Sequence, residues 1–252
     1  MDATARALIV PAAGRGSRLG DPGPKVLAQV GGRPMIDWLL DLYDTYVAHV
    51  VVVVHPEARA AVAHHLSRRA RAIDLAEQRE PTGMLDAILA PFALVERWQP
   101  ASIWITWCDQ VAVHPRTVAR LAERSAADTA PLVVPTVSRH LPYIHLERDP
   151  SGRIVRVRHR REGDVLPDPG ESDMGLFALS GEAYRHWLPA FAAEGDRGAR
   201  TSERNFLPFI PWLATRASVD TFPAVDEMES VGVNTPEERA QVERYLAERT
   251  SR

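Results

Sequence analysis

A short apolar run and the glycine-rich loop that follows it constrain the fold of this chain more than any other feature. Residues 7–10 show no polar alternation, which is typical of a strand buried on both faces of a parallel sheet. Gly14 and Gly16 come next, and glycine lets backbone N–H groups turn inward at φ angles that other residues resist. Full positive charges are added by Arg15, Arg18 and Lys25. The pattern predicts a cradle for the phosphates of a nucleoside triphosphate.

Two familiar glycine loops do not fit this spacing. A dinucleotide-binding loop needs a third glycine three residues after Gly16, where this chain has Leu19. A Walker loop ends in Gly-Lys-Ser or Gly-Lys-Thr, whereas Lys25 follows Pro24 and lies nine residues beyond Gly16. A glycine-rich surface turn with incidental basic residues is the alternative interpretation.

Composition narrows the class of protein. The 252 residues suffice for one large α/β domain and no low-complexity linker divides them, so we expect a single domain over residues 1–252. A formal net charge of -3 gives no global attraction to nucleic acid or to an anionic membrane. The one cysteine, Cys108, excludes an intrachain disulfide and a cysteine-based zinc cluster. The apolar stretches are too short for a membrane span or a secretion signal, so we expect a cytoplasmic protein.

Apolar runs alternate with helix-period segments along most of the chain, which is typical of βαβ units. Strands are predicted at residues 7–10, 50–54, 73–76, 102–107, 132–137 and 174–179, and near Val219 and Val231. Helices are predicted at residues 34–47, 56–69, 83–97, 115–125, 182–191, 203–214 and 236–249. We therefore expect a Rossmann-like α/β fold with a mostly parallel central sheet flanked by helices.

One segment departs from this rhythm. Residues 143–147 and 154–159 are two strand-like runs joined by Asp149-Pro150-Ser151-Gly152, which is a hairpin signal. A hairpin does not fit a simple parallel winding. We therefore expect it to project as a flap beside the sheet.

The order of a strand, Ala-Ala-Gly-x-Gly-x-Arg and then Pro-Lys resembles the signature of sugar-nucleotide pyrophosphorylases and related nucleotidyltransferases. This GlmU/MobA-like family includes the N-acetylglucosamine-1-phosphate uridylyltransferase and MobA-like groups. The resemblance covers most of the chain. It implies a Mg²⁺-dependent enzyme that joins a nucleoside monophosphate to a phosphorylated acceptor and releases pyrophosphate, with the hairpin as a flap over the acceptor site.

The resemblance also implies roles for single residues. Lys25 would neutralise the α-phosphate and the attacking oxygen, and Arg15 would hold the leaving pyrophosphate. The nucleotide-binding residues implied are Ala12, Ala13, Gly14, Gly16, Arg18, Gln78, Thr82 and Gly83. Uridylyltransferases of the family usually read Leu-Gly-Thr where this chain has residues 81–87, which disfavours uridine. A solvent-facing Gln78 is the alternative for that residue.

Asp109 is the first candidate for a magnesium ligand. It follows the predicted strand 102–107, and open α/β sheets bind ligands at the carboxyl ends of their strands. The resemblance places a metal-binding aspartate there and implies Asn234 as the second ligand. A helix cap or loop role is the alternative for both, and Asp226 is a reserve candidate.

The hairpin carries a cationic stretch that suits an acceptor with more negative charge than one phosphate. The expected acceptor-binding residues are Asp173, Arg158, His159, Tyr143 and His145. Strand alternation lets at most half of the basic residues face one site, so a solvated charged strand is the alternative.

Together these features favour a cytidylyltransferase that uses CTP and a small anionic phosphonate or phosphate acceptor. The alternatives are a UDP- or GDP-sugar pyrophosphorylase that acts on a sugar 1-phosphate and a non-catalytic nucleotide-binding regulator. The expected partners are the nucleoside triphosphate and the acceptor, without nucleic acid or membrane, and a homodimer stays open.

Overall fold

The computed structural model describes residues 6–14, 16–21, 23–127 and 129–250, so Arg15 lies outside the described residues. The strands are β1 (Arg6–Pro11), β2 (Gln29–Val30), β3 (Arg33–Pro34), β4 (His49–Val54), β5 (Asp74–Glu77), β6 (Ser102–Thr106), β7 (Leu132–Arg139), β8 (Ile144–Arg148), β9 (Ile154–His159), β10 (Gly170–Asp173), β11 (Leu176–Ser180) and β12 (Val219–Pro223). The α-helices are α1 (Met35–Tyr43), α2 (Pro56–Leu66), α3 (Met84–Leu89), α4 (Phe92–Trp98), α5 (Pro115–Ala126), α6 (Leu188–Glu194), α7 (Phe209–Ala214) and α8 (Pro236–Thr250). Shorter helical turns lie at Ser17–Leu19, Lys25–Leu27, Arg160–Glu162, Ala183–Trp187 and Glu227–Ser230.

Within the described residues, an eight-stranded sheet forms the centre of the fold. Strands β6, β1, β4 and β5 run parallel in that order, and β11 lies antiparallel on the other side of β6. Strand β7 pairs antiparallel with β10 and β11 and parallel with β12. The sheet is thus mostly parallel and flanked by helices, which confirms the predicted Rossmann-like α/β class.

The sheet is buried on both faces. Leu8 and Val10 of β1 belong to one apolar cluster, whereas Ile9 belongs to the other. Every residue of β1 is buried, which explains why this run lacks polar alternation. Among the described residues, no helix combines the length and the apolar character needed to cross a membrane.

Strands β10 and β11 follow one course along β7 that is interrupted at Met174 and Gly175. Asp173 pairs with Thr136 just before the interruption, and β11 resumes pairing with β7 after it. Trp107, the residue after β6, donates its N–H to the carbonyl oxygen of Gly175 at 2.9 Å. The interruption therefore lies at the carboxyl end of β6. Of the two strands β10 and β11, the sequence predicted β11 alone.

Three predicted elements differ from the observed ones. The helix at 83–97 is divided into α3 and α4, because Pro91 cannot donate the N–H that would continue it. The helix at 203–214 is confined to α7, since the backbone of Arg204 pairs with the segment before α3. Val231 lies in no strand of the described chain and follows a short helical turn instead.

The predicted hairpin is confirmed. Strands β8 and β9 form a separate two-stranded antiparallel sheet. It packs beside β10, where His145 Nδ1 lies 3.2 Å from the carbonyl oxygen of Glu171 and Arg148 forms an ion pair with the Glu171 carboxylate at 2.6 Å. The hairpin, called the flap below, therefore projects beside the main sheet.

Candidate active site

Lys25, Asp109 and Asn234 meet at the carboxyl end of the parallel strands. The Lys25 ammonium donates to Asp109 Oδ2 at 2.6 Å and to Asn234 Oδ1 at 2.7 Å. The side chains of Lys25 and Asp109 are only 10% and 14% exposed. The fold thus brings together three side chains that the sequence predicts to share one site.

Glycine at position 16 gives the Lys25 stem its space. Gly16 has a φ of 62°, in the left-handed region that side chains disfavour. A Cβ atom there would lie 2.6 Å from Lys25 Cβ. Both the backbone conformation and the close approach of the lysine therefore require glycine.

A neighbouring carboxylate keeps Lys25 charged. Burial alone would lower the pKa of the ammonium, but the Asp109 carboxylate outweighs it and raises the pKa above its ordinary value. Burial raises the pKa of the adjacent Cys108 thiol to about 12, so Cys108 is a neutral core residue. The site therefore holds a fixed positive charge at neutral pH.

The cap of helix α8 leaves the Asn234 side chain available to this site. Thr235 Oγ1 accepts a hydrogen bond from Glu238 N at 3.2 Å, and Glu238 Oε2 accepts from Thr235 N at 3.0 Å. This reciprocal cap uses Thr235 and Glu238, so capping is not the role of the Asn234 amide. A Cβ atom at Gly232 would lie 3.1 Å from Asp109 Cγ, which shows how closely this segment approaches Asp109.

Asp226 has a local role. Its side chain accepts a hydrogen bond from Met228 N at 2.9 Å, and Glu229 completes a capping box for the short helix Glu227–Ser230. The structure therefore brings Asn234 to Lys25, and it uses the reserve metal candidate as a cap.

The first loop continues from β1 toward this centre. Ala12 donates its N–H to the carbonyl oxygen of Val53 at 2.7 Å, which extends the pairing of β1 with β4. Ala13 is half-buried and Gly14 is exposed. Arg18 is exposed and lines the cavity described below. The expected role of Arg15 falls outside the described residues.

Gln78 supports the segment that precedes α3. Its Nε2 donates to the carbonyl oxygen of Gly83 at 2.9 Å, and the side chain is half-buried rather than turned to solvent. Arg204 N donates to the carbonyl oxygen of Thr82 at 2.7 Å, and Leu85 N donates to that of Arg204 at 3.0 Å. Gly83 has a φ of +128°, and a Cβ atom there would lie 2.4 Å from the Arg204 oxygen, so only glycine fits.

A cavity of about 730 Å³ lies in front of the Lys25 centre. Asp109 and Asn234 line it, together with residues of the flap, of β10 and of the loop before α7. Trp107 is another wall residue, and it packs directly on backbone: a Cβ atom at Gly175 would lie 2.3 Å from Trp107 Cδ1. Among Gln78, Thr82, Gly83 and Met84, the one that lines the cavity is Met84.

Asp173, the last residue of β10, is buried and lines the same cavity. Its Oδ2 accepts a hydrogen bond from Gly175 N at 2.9 Å. Burial raises the pKa of its carboxyl group to about 6 from the ordinary 3.8. Asp173 thus offers the cavity a hydrogen-bond acceptor whose charge changes slightly below neutral pH.

One face of the flap reaches the cavity. Tyr143 and His159 line it with ring centroids 5.1 Å apart. The strand register pairs Ile144 with His159 and His145 with Arg158, and directly opposed residues share a face. Arg158 and His145 therefore lie on the opposite face and do not line this cavity, whereas Tyr143 and His159 of the expected acceptor-binding residues do.

Carboxylates neutralise most arginines of the flap. The ion pairs are Arg153–Asp149, Arg156–Asp164, Arg158–Glu147 and Arg161–Glu203. Arg160 instead donates to the carbonyl oxygen of Pro142 at 3.0 Å. The flap therefore does not present the unbalanced positive charge that its sequence suggests.

The sequence did not single out two polar residues of the cavity. Gln110 is 7% exposed, and its Oε1 has no hydrogen-bond partner among the described residues. Arg139 donates from Nη1 to Ser230 Oγ at 3.1 Å, whereas its Nε has no partner in the described chain. The position of Gln110 directly after Asp109 is the one sequence signal that could have found either.

The oxygens of Asp109 and Asn234 fit a magnesium ion. They are hard donors that already converge on one cation, the Lys25 ammonium, at 2.6 and 2.7 Å. Mg²⁺ keeps several waters in most protein sites, so one or two protein ligands suffice. In the described part of the chain, no cluster of three or more His, Cys, Asp or Glu side chains could form a closed metal cage. The donor set therefore suits an open magnesium site.

Comparison with known proteins gives a family match over most of the chain. A family model for the MobA-like NTP transferase domain matches residues 8–229. Bifunctional protein GlmU of Burkholderia multivorans is 28% identical over 246 residues, which cover 94% of this chain and 51% of the relative. The GlmU proteins of Micrococcus luteus (26% over 211 residues, 77% and 42% covered) and Chromohalobacter salexigens (24% over 249 residues, 97% and 53% covered) are similar in the same way. The chain spans about half the length of these curated relatives.

Proposed function

The chain belongs to the MobA-like NTP transferase family, and we propose that it is a magnesium-dependent nucleotidyltransferase. The proposed reaction transfers cytidine monophosphate from CTP to a small phosphate or phosphonate acceptor. The observation that carries this proposal is the convergence of Lys25, Asp109 and Asn234 beside one large cavity. It also argues against the alternative of a non-catalytic regulator, which has no need of this charged centre. A cytoplasmic location is part of the same proposal.

The difficulty of the reaction is electrostatic, because an anionic oxygen has to approach the α-phosphorus of an anionic triphosphate. The acceptor oxygen bonds to the α-phosphorus while the bond to the oxygen bridging the α- and β-phosphates breaks, and pyrophosphate leaves with that electron pair. A phosphate or phosphonate oxygen is already ionised near neutral pH, so no base has to remove a proton. Lys25, kept charged by Asp109, would reduce the repulsion between the two anions.

Asp109 and Asn234 would hold the magnesium ion. The bound ion supplies positive charge that polarises and orients the phosphates. The Lys25 ammonium would then turn from these two oxygens toward the phosphates, which its flexible four-carbon stem permits. The backbone at Gly14 and Gly16, with Arg18, would bind the phosphates that leave, as the sequence predicts for Arg15.

The choice of CTP rests on the segment at 81–87, where the sequence departs from the uridylyltransferase pattern. Gln78 and Arg204 hold this segment through hydrogen bonds to its backbone at Thr82, Gly83 and Leu85. A nucleobase bound there would contact a backbone segment that these hydrogen bonds hold in one conformation. Such a rigid segment favours selection among the four nucleotides.

The charge that meets the acceptor would come from Arg139 rather than from the arginines of the flap. Arg139 lines the cavity, and no ion pair in the described chain includes it. It is anchored to Ser230, two residues before the Gly232 that abuts Asp109. An arginine so placed binds phosphate or phosphonate oxygens well.

A sugar 1-phosphate is the second candidate acceptor, with UTP or GTP as the nucleotide. Several carboxylates line the cavity, and Asp173 is the buried one among them. Carboxylates accept hydrogen bonds from hydroxyl groups, which sugars supply.

The test is pyrophosphate release with each of the four ribonucleoside triphosphates against phosphonates, phosphoalcohols and sugar 1-phosphates, with Mg²⁺ present or chelated. We expect release with CTP and a small anionic acceptor, and loss on chelation. Release with UTP or GTP and a sugar 1-phosphate would favour the second candidate. Tight triphosphate binding without release from any pair would favour the regulator.

Two variants connect the reaction to the site. Lys25→Met and Asp109→Asn should each lower kcat about 100- to 1,000-fold, as the loss of a group that stabilises transition-state charge does. Arg153→Met, which removes an exposed ion pair from the flap turn, should leave turnover unchanged. Full activity in both site variants would refute the assignment of the centre.

A further inference from the structure

Gln110 is a buried polar side chain whose amide oxygen has no hydrogen-bond partner among the described residues. It is 7% exposed and lines the cavity. Its backbone N–H donates to the carbonyl oxygen of Trp107 at 3.2 Å, but its amide Oε1 has no partner and its Nε2 forms no hydrogen bond to a described residue. Native proteins pair nearly all such groups, and exceptions concentrate where a ligand or a catalytic role explains them.

Close contacts with two glycines show that the Gln110 side chain lies between Asp173 and the segment that carries Asn234. A Cβ atom at Gly175 would lie 2.9 Å from Gln110 Cγ, and one at Gly232 would lie 3.2 Å from Gln110 Nε2. Gly175 is hydrogen-bonded to Asp173, on the side of the cavity that we assign to the acceptor, and Gly232 belongs to the segment that carries Asn234. The amide thus lies beside the metal-binding centre, where the part of an acceptor next to its phosphate would rest.

The chemistry of the amide narrows its partner. It presents a donor and an acceptor in either orientation of its two end atoms. A phosphate oxygen only accepts, so it would leave the amide oxygen unpaired. A hydroxyl group does both, since its one proton can be donated to the amide oxygen while its oxygen accepts from the amide N–H.

We propose that Gln110 is a specificity-determining residue whose amide hydrogen-bonds a hydroxyl group of the acceptor close to its phosphate. The inference rests on the proposed function, because it assigns the cavity beside Asp109 to the acceptor. It distinguishes hydroxylated acceptors from plain alkyl phosphates or phosphonates of equal charge. A ligand that lacks the hydroxyl group should bind more weakly, since the Gln110 amide then stays buried and unpaired.

Two probes of equal charge and similar size test the proposal: glycerol 1-phosphate, which has hydroxyl groups, and ethyl phosphate, which has none. Each is titrated calorimetrically into protein loaded with Mg²⁺ and a non-hydrolysable CTP analogue. The wild type should bind glycerol 1-phosphate at least about tenfold more tightly. Gln110→Met, which keeps the side-chain length and removes the amide, should abolish most of this preference. Gln29→Met, at an exposed glutamine in β2, should retain it.

A second measurement separates recognition from a structural role. Gln110→Met removes an unpaired buried amide, so the melting temperature of the ligand-free protein should rise by about 2 to 8 °C. A glutamine needed for packing would give a fall instead.

Three results would overturn the proposal: equal binding of the two probes by the wild type, an unchanged preference in Gln110→Met, or a lowered melting temperature in that variant. Failure of the proposed function is recognised separately. It would appear as absent pyrophosphate release in a protein that still distinguishes the two probes.

Discussion

The hydrogen bonds of Lys25 to both proposed magnesium ligands predict that the lysine competes with a divalent metal in the nucleotide-free protein. Lys25→Met keeps the apolar stem and removes the ammonium from between Asp109 and Asn234. The variant should therefore bind metal more tightly than the wild type, although it has lost a residue of the candidate active site.

The magnitude follows from the geometry of the ion pair. Its side chains are 10% and 14% exposed. Breaking a buried ion pair costs about 3 to 5 kcal/mol, and the residual exposure reduces this to about 2 to 3 kcal/mol. At about 2 to 4 °C per kcal/mol, Lys25→Met should melt about 4 to 12 °C lower without metal. The same energy, no longer opposing the metal, corresponds to metal binding tighter by about 30- to 150-fold.

Binding of Mn²⁺, followed by electron paramagnetic resonance of the free ion without nucleotide, measures this difference. Saturating metal should restore part of the lost melting temperature in Lys25→Met and raise that of the wild type less. Lys25 is the only lysine of the chain, so its reaction with amine-selective reagents is a further readout, which Mn²⁺ should accelerate in the wild type. Arg153→Met is the control, because its ion pair with Asp149 lies outside the centre. Equal Mn²⁺ affinity in the wild type and Lys25→Met would refute the competition.

Three further predictions concern the acceptor side. Gly175→Ala should lower stability by several kcal/mol and reduce turnover, because φ is +69° and the new methyl group would clash with Trp107. Gly152→Ala is the matched control, since φ is +85° but the space around it is open, and thermal denaturation should show a loss of only about 1 kcal/mol. Because burial raises the pKa of Asp173 from 3.8 to about 6, the folded state holds that proton more tightly than the unfolded chain. The contribution of Asp173 to stability should therefore fall by about 3 kcal/mol as pH rises from about 4 to about 6. Asp173→Asn should lose this pH dependence in melting curves, and a parallel dependence in both proteins would contradict the assignment. Glu162→Gln weakens the hydrogen bonds that hold the loop at 200–205, so limited trypsin digestion should cut there faster while the melting temperature changes little.

Two members of the charged centre could be predicted from local signals, since Asp109 follows a buried strand and Lys25 follows a glycine loop and a proline. Asn234 was expected from the resemblance to the family, because its position before a helix start by itself favours a cap. A parallel sheet then brings these chain-distant points to one edge, which follows from the class of fold. Lys25 is the only lysine among the 30 lysine and arginine residues, which is a further sequence signal independent of the motif.

The proposed acceptor side was predicted less well because its geometry depends on pairing between distant segments. Arg158 and His145 were expected at the acceptor, but the register of β8 with β9 turns both away from the cavity. The charge of the flap could not be read from its arginines, since their carboxylate partners include Glu203 from another part of the chain. The interruption at Gly175 likewise depends on the contact with Trp107.

The loop before α7 touches both sides of the site. Through Arg204 it pairs with the backbone before α3, and through Thr201 and Asn205 it binds Glu162 at the end of the flap. A change of length or sequence in this loop would therefore shift the segment before α3 and the flap together. Under the proposed function, nucleotide choice and acceptor choice would be mechanically linked, and a graft meant to transfer either preference to a related protein would have to carry the segment before α3, the loop and the flap as one unit.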